Sequence, residues 1–319
     1  MTASNPSHDE SRTLPHSRFR PSAGTPTGGP PLGGAHLDST AQLMNAITSQ
    51  LGSQLSLVSL NGARRPAPPP LVLVAHGSRD PRALSTVRTL IERVRELRPH
   101  LSVHLGHIEL NEPLLADTLA SLAAEDGAGG ADGAVLVPLL LSRGYHVKRD
   151  IPAAAAAVPG LRARIAAPLG PHPLLVETLY ARLVEAGWRT GMSDAARRAG
   201  GVVLAAAGSR DPESIIDTRR TAQLLAERLG VPVVPAYASA AAPTVAAAVR
   251  ALAARGRHRI AVASYFTAPG RFATECAAAA PWIAAAPLGA HAAMARLILH
   301  RYDQAVATPA TTEQTLAAV

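Results

Sequence analysis

The chain carries one cysteine, Cys276, in 319 residues. That excludes an intramolecular disulfide and any zinc or iron–sulfur centre held by several thiolates, and it fits a reducing, cytoplasmic setting. Aromatic residues make up only 3%. No basic run is interleaved with aromatic side chains, which argues against a surface that stacks on nucleic-acid bases. No apolar stretch reaches the roughly 20 residues of a membrane span, and MTASNPSHDESRTLPHSRFRP lacks the charged-then-apolar profile of an export signal. Neither a nucleic-acid nor a membrane partner is expected.

What is present points to a globular α/β protein. A hydrophobic content of 47% with 17% charged residues, over 319 positions, suffices for two domains with sizeable cores. The net charge of +8 is scattered over stretches that also carry Asp and Glu, which suits a solvated surface or attraction for a polyanionic small molecule. Residues 1–70 are rich in Ser, Thr, Pro and Gly, hold a weakly apolar island at 43–60, and close on PAPPP. They read as a disordered tail and Pro-rich linker. Residues 306–319 read as a second tail.

The stretch LVLVAHGSRDP, Leu71 to Pro81, organises the rest. Four apolar residues read as a buried parallel strand that delivers His76 to its carboxyl end. An apolar stripe of Leu84, Val87, Leu90, Ile91, Val94 and Leu97 then predicts a helix. Further strands over 101–110, 134–141 and 161–167 alternate with helices over 114–124 and up to about 186, with Pro113 suited to a first helical turn. This is the pattern of a doubly wound domain with a four-stranded parallel sheet, whose ligands sit above the carboxyl ends of the strands.

The pattern then repeats. GSRDP at 77–81 returns at 208–212, an offset of 131, and APLG at 167–170 returns at 286–289, an offset of 119. Two similar domains are predicted, 71–186 and 201–305, joined by a polar linker over 187–200. The positions that differ are informative. His76 faces Ala207 in the repeat; aligning Pro113 on Pro243 sets Glu109 against Ser239, and aligning Gly144 on Gly270 sets His146 against Phe272. The framework is kept where the chemistry is not, which groups His76, Glu109 and His146 into one site. Two imidazoles and a carboxylate suit a divalent first-row metal with open coordination positions, and imidazoles also accept protons near neutral pH. A single strand-end histidine is more commonly a packed residue, and that reading is kept for His104 and His107. His172 and His291, which follow PLG in each repeat, are assigned to a turn or helix start, and Cys276 to a buried small residue.

AHGSR after the first strand, IEL before Pro113, LLLSRGYHVKRDIP with its GxHxxxDIP core at 144–152, and PLG after the fourth strand together resemble the sirohydrochlorin chelatases of the CbiX type, members of the class II chelatases. The resemblance covers 71–186 strongly and 201–302 more weakly. It implies one site between two α/β lobes, no organic cofactor, and two substrates, sirohydrochlorin and Fe2+ or Co2+. The product would enter sirohaem or cobalamin biosynthesis, and two pyrrole protons would be released. It also implies that His76 and His146 bind the metal and act as bases, with Glu109 as a further ligand or proton acceptor. The substrate's carboxylate arms call for Ser78 and Arg79 at a helix start, Arg143, Tyr145, Lys148 and Arg149 around His146, and Arg210 and Arg271 from the second lobe. The chain is expected to act as a monomer. Three other readings stay open: a histidine-phosphatase-like enzyme, disfavoured because Ala75 stands where an Arg would precede the histidine, a non-catalytic metal or tetrapyrrole carrier, and a small-molecule module that uses no metal.

Overall fold

A computed structural model describes residues 68–125 and 133–308. The expected disorder of the N-terminal tail and most of the C-terminal one lie outside these residues. The first repeat holds β1 (Leu71–Ala75), α1 (Pro81–Leu97), β2 (Val103–His107), α2 (Leu115–Glu125), β3 (Ala134–Pro138), a wide turn (His146–Asp150) running into α3 (Ile151–Ala156), β4 (Ala163–Ile165) and α4 (Pro173–Glu185). After α5 (Asp194–Ala199) come β5 (Gly200–Ala206), α6 (Pro212–Leu229), β6 (Val233–Tyr237), α7 (Val245–Ala253), β7 (Arg259–Tyr265), α8 (Arg271–Ala278), β8 (Ile283–Ala284) and α9 (Ala292–Ala307). Each repeat forms one parallel four-stranded sheet, in the orders β2-β1-β3-β4 and β6-β5-β7-β8.

Strand β1 is central and buried at every position, which is why it reads as a continuous apolar run rather than an alternation. Val72 and Val74 face outward onto Leu115, Leu119 and Ile151 of α2 and α3. Leu71 and Leu73 face inward, into a core that joins both repeats. The inner face of each sheet is covered partly by the other repeat. Helix α9 packs on β3 and β4, and α4 packs on β7. Each repeat therefore lends its last helix to the other's sheet, and α1, α9, α4 and α6 form a layer between the two sheets. The exchange obeys a two-fold relation. Arg182 on α4 donates to Leu288 O from Nε (3.1 Å) and Nη2 (3.0 Å), and Arg301 on α9 donates to Leu169 O (3.3 Å). Both pairs repeat with the 119-residue offset of APLG.

Several expectations need correction. The stretch 187–200 is no plain linker, since Trp188 is buried, 194–199 is helical and Gly200 already belongs to β5. Pro113 does not open a helix. It stands before α2, and its carbonyl accepts from the His107 N–H (2.9 Å). Strand β2 is shorter than predicted because Leu110 takes a left-handed φ of 69° in the following loop. Leu97 is exposed, while Ala83 joins the buried stripe of α1. The end of the Pro-rich linker is anchored by Tyr302, whose hydroxyl donates to Pro69 O (2.7 Å), and the last helix runs to Ala307, two residues into the stretch read as a tail.

His172 and His291 do start helices. Each ring accepts a backbone N–H, from Leu174 (3.1 Å) and Ala293 (3.2 Å), as the N-cap of α4 and α9. Burial, followed by the charges of Arg301 and His300, pushes His172 down to about 4. The folded state thus binds fewer protons than the unfolded one, whose histidine titrates near 6.5. This contribution to stability is complete above pH 6.5 and declines as the pH falls toward 4. His172→Asn keeps a capping acceptor without a proton to gain, so its melting temperature should fall less steeply than that of the wild type between pH 7 and 4. An identical slope in the two proteins would contradict this.

Candidate metal-handling site

With strand order β2-β1-β3-β4, the chain leaves β1 toward one side of the sheet and β3 toward the other, opening a crevice at their carboxyl ends. His76 follows β1 directly. His146 stands at the head of the wide turn beyond β3. Their rings meet edge to face, with centroids 4.7 Å apart and planes at 85°. Glu109 arrives from the loop after β2, and its Oε1 lies 3.6 Å from His76 Nε2.

Gly77 makes that approach possible. Its φ is +100°, and a Cβ there would stand 1.8 Å from Glu109 O, so only glycine lets the two loops touch. The Glu109 N–H donates to His76 O (3.1 Å) and the Ser78 N–H to Asn111 Oδ1 (2.7 Å), fixing one loop on the other. His146 is held by a residue that the motif contained but whose role the sequence reading passed over. Its Nδ1 lies 2.5 Å from Asp150 Oδ2, one turn on. A carboxylate accepts only, so Nδ1 carries the proton and Nε2 presents the lone pair. His76 Nδ1 lies 3.3 Å from Gly77 O, and its Nε2 faces Glu109 Oε1 at 3.6 Å. The crevice thus holds two imidazole rings beside a carboxylate. Among the described residues, however, no group of three or more His, Cys, Asp or Glu side chains is gathered closely enough to hold a metal by itself.

The second repeat reproduces the frame without these groups. Gly208 has a φ of +93°, with the place of its Cβ 1.9 Å from Ser239 O. Leu110 and Ala240 share a positive φ. Ser239 Oγ merely donates to Ala207 O (3.1 Å). The two mouths face each other: a Cβ on Gly144 would lie 3.8 Å from Ser209 Oγ, and one on Gly270 would lie 3.9 Å from Ser78 Oγ.

The groups expected to meet the substrate's carboxylates fare differently. Arg79, Arg149 and Arg210 are exposed, and Tyr145 is 66% exposed with its ring 6.2 Å from that of His146. Arg271 lies 3.8 Å from Glu275. The start of α1 is no anion site, because Asp80 already caps it by accepting from the Arg82 N–H (3.0 Å), and Ser78 Oγ accepts from the Asp80 N–H (3.1 Å). Arg143 and Lys148 are not free cations: Arg143 is bound by Asp217, and Lys148 by Asp211 (2.7 Å) and Glu213 (3.0 Å). His107 is buried, with Nδ1 on Pro113 O (3.2 Å), and desolvation lowers its pKa. His104 bonds Ser102 (2.7 Å).

Residues 70–186 and 201–305 both match the CbiX family. Over 82 residues the chain is 39% identical to a sirohydrochlorin cobaltochelatase of Methanococcus aeolicus, a match that covers 26% of this chain and 54% of that protein. Over 181 residues it is 30% identical to the sirohydrochlorin ferrochelatase of Bacillus subtilis, covering 54% of this chain and 64% of that one. The chain thus spans a little over half to just under two thirds of the length of these curated relatives. SirB from Bacillus subtilis with Fe3+ shares the fold, with a TM-score of 0.61 at 23% identity, over 75% of this chain and 96% of that one. Both halves of the duplicated fold match one family, and the chain belongs to it: CbiX.

Proposed function

We propose that the chain is a sirohydrochlorin chelatase, inserting Fe2+ or Co2+ into the tetrapyrrole with release of two protons, for sirohaem or cobalamin biosynthesis. The observation that carries this reading is the edge-to-face pair His76 and His146, each with Nδ1 tied back, present in one repeat and absent from the other. In this reading the two Nε2 atoms and Glu109 take the incoming ion, and the macrocycle's pyrrole nitrogens displace them as the ion crosses into the ring. The two N–H protons pass to the imidazoles and carboxylate, so charge balances without a redox step or an organic cofactor. Neutral imidazole suits an ion that has to be handed on, where a thiolate cluster would retain it. Ser78, Arg79 and Tyr145 are assigned to the substrate's carboxylate arms, with Arg149 and Arg210 as further cations. The enzyme would act in the cytoplasm as a single chain.

Anaerobic incubation of sirohydrochlorin with each metal, followed by absorbance, tests the reading. It requires conversion faster than the spontaneous reaction. Binding of both substrates without acceleration would favour the carrier alternative. In the same assay Asp150→Asn, which leaves the His146 tautomer unfixed, should lower kcat by about 10- to 100-fold. Because Asp150 is a third exposed, the melting temperature should change little.

A further inference from the structure

Segment 139–148, which carries His146, is fastened to the second repeat at successive points. Thr267 Oγ1 donates to Leu139 O (3.0 Å), and the Tyr265 hydroxyl donates to Leu141 O (3.0 Å). Ser142 Oγ meets Ser214 Oγ at 2.8 Å. Asp217, with a side chain only 3% exposed, accepts three bonds from Arg143: from its backbone N–H (2.9 Å), Nε (3.0 Å) and Nη2 (2.6 Å). Lys148 closes the series on Asp211 and Glu213.

The matching positions of the first repeat are different in kind. The strand registers fix the correspondence: Val74 pairs with Pro138 as Ala205 pairs with Ser264, which gives offsets of 131 for the β1–α1 segment and 126 for β3 and the loop after it. Ser214, Asp217, Tyr265 and Thr267 then correspond to Ala83, Thr86, Leu139 and Leu141. Arg143 and Lys148 correspond to Pro269 and Thr274. Polar and charged groups therefore stand in the second repeat where it grips the His146 loop. The reciprocal junction, where Gly270 faces Ser78, has no ion pair across it among the described residues.

We propose that the second repeat serves as the mount of the first repeat's catalytic loop, with Asp217 the positioning residue that sets His146 through Arg143. A buried carboxylate that receives a backbone N–H and two guanidinium N–H groups fixes both the position and the direction of the chain just before Gly144 and His146. Arg143 then has its guanidinium engaged within the protein and does not serve the substrate's arms. The kinetic part of this inference rests on the chelatase reading; its structural part does not.

Two variants test it. Asp217→Asn removes the charge at nearly constant shape, and Arg143→Lys keeps the charge but not the two-pronged contact. The 15N–1H correlation of the His146 imidazole reports its setting without metal or turnover, and should shift or broaden in both variants while the remaining spectrum stays native. In the absorbance assay each variant should lower kcat by about 10- to 100-fold and leave the KM for sirohydrochlorin within about two-fold. The combined variant should be no worse than either alone, since both act through one contact. An unmoved His146 signal with native kcat in a folded variant would overturn the proposal, as would an Arg143→Lys variant that raises only the sirohydrochlorin KM. If Asp217→Asn does not fold, Arg143→Lys, altered in an exposed side chain, decides alone. If the wild-type protein converts no sirohydrochlorin, the chelatase reading fails and the imidazole signal still decides the positioning claim.

Discussion

Alanine in place of His146 is expected to slow metal insertion by about 10²- to 10⁴-fold, the range over which a positioned acid–base group contributes to a rate. The substitution removes one of the two Nε2 atoms and leaves Asp150, which is a third exposed, to be solvated by water, so the protein should stay folded. His76→Ala should fall in the same range. In the proposed mechanism the two imidazoles act as a unit on one ion, so removing both should cost little more than removing one. Initial rates with saturating metal check this. Phe272→His in the second repeat is the control: Ala207 and Ser239 stand there at the positions of His76 and Glu109, and it should add no rate. Variants of His76 and His146 within two-fold of the wild type would remove the basis of the proposed mechanism.

Gly77→Ala is expected to damage stability and activity together. At a φ of +100° a side chain pays the left-handed penalty of about 1–2 kcal/mol. Its Cβ would also be driven to 1.8 Å from a backbone carbonyl, that of Glu109. Carbonyl and loop have to move, and a total loss of about 2–4 kcal/mol is anticipated. Gly208→Ala creates the same conflict, 1.9 Å from Ser239 O at a φ of +93°, and should lower stability by a similar amount. The pair differ in what moves. Gly77→Ala shifts Glu109 away from His76, whereas Gly208→Ala displaces the Ser239 loop, which carries no ionisable group, and reaches His146 only indirectly, through Asp211 and Lys148. Denaturant midpoints should therefore drop alike, while activity per folded molecule falls further in Gly77→Ala. Equal activity losses would mean that Glu109 is not placed by this contact.

The frame was legible because it rests on local patterns. LVLVA is apolar throughout and is buried throughout; GSRDP twice after an apolar run marks two strand–turn–helix units whose turns share a glycine at positive φ, +100° at Gly77 and +93° at Gly208. The exchange of α4 and α9 was not legible. Leu175, Leu179 and Leu183 reveal a buried face, and nothing in that spacing says which sheet it covers. Asp217 was hidden for a related reason. Within PESIIDTRRTAQLL a carboxylate two residues before a pair of arginines reads as a solvated face, and only the packed fold places it under Arg143 with 3% of its side chain exposed. Arg143 and Lys148 were read as cations for the substrate because their partners lie in the other repeat. Asp150 was within reach, since histidine and aspartate four apart share a face of one turn.

The central claim is that His76 and His146 take one ion between them and that the second repeat takes none. X-ray absorption at the cobalt edge, on the protein loaded with one equivalent of Co(II), addresses it most directly. The account predicts the scattering of two imidazoles on one cobalt, lost in His76→Ala/His146→Ala and unchanged in Ser239→Ala. A wild-type spectrum of oxygen donors alone, or a double variant indistinguishable from the wild type, would contradict it.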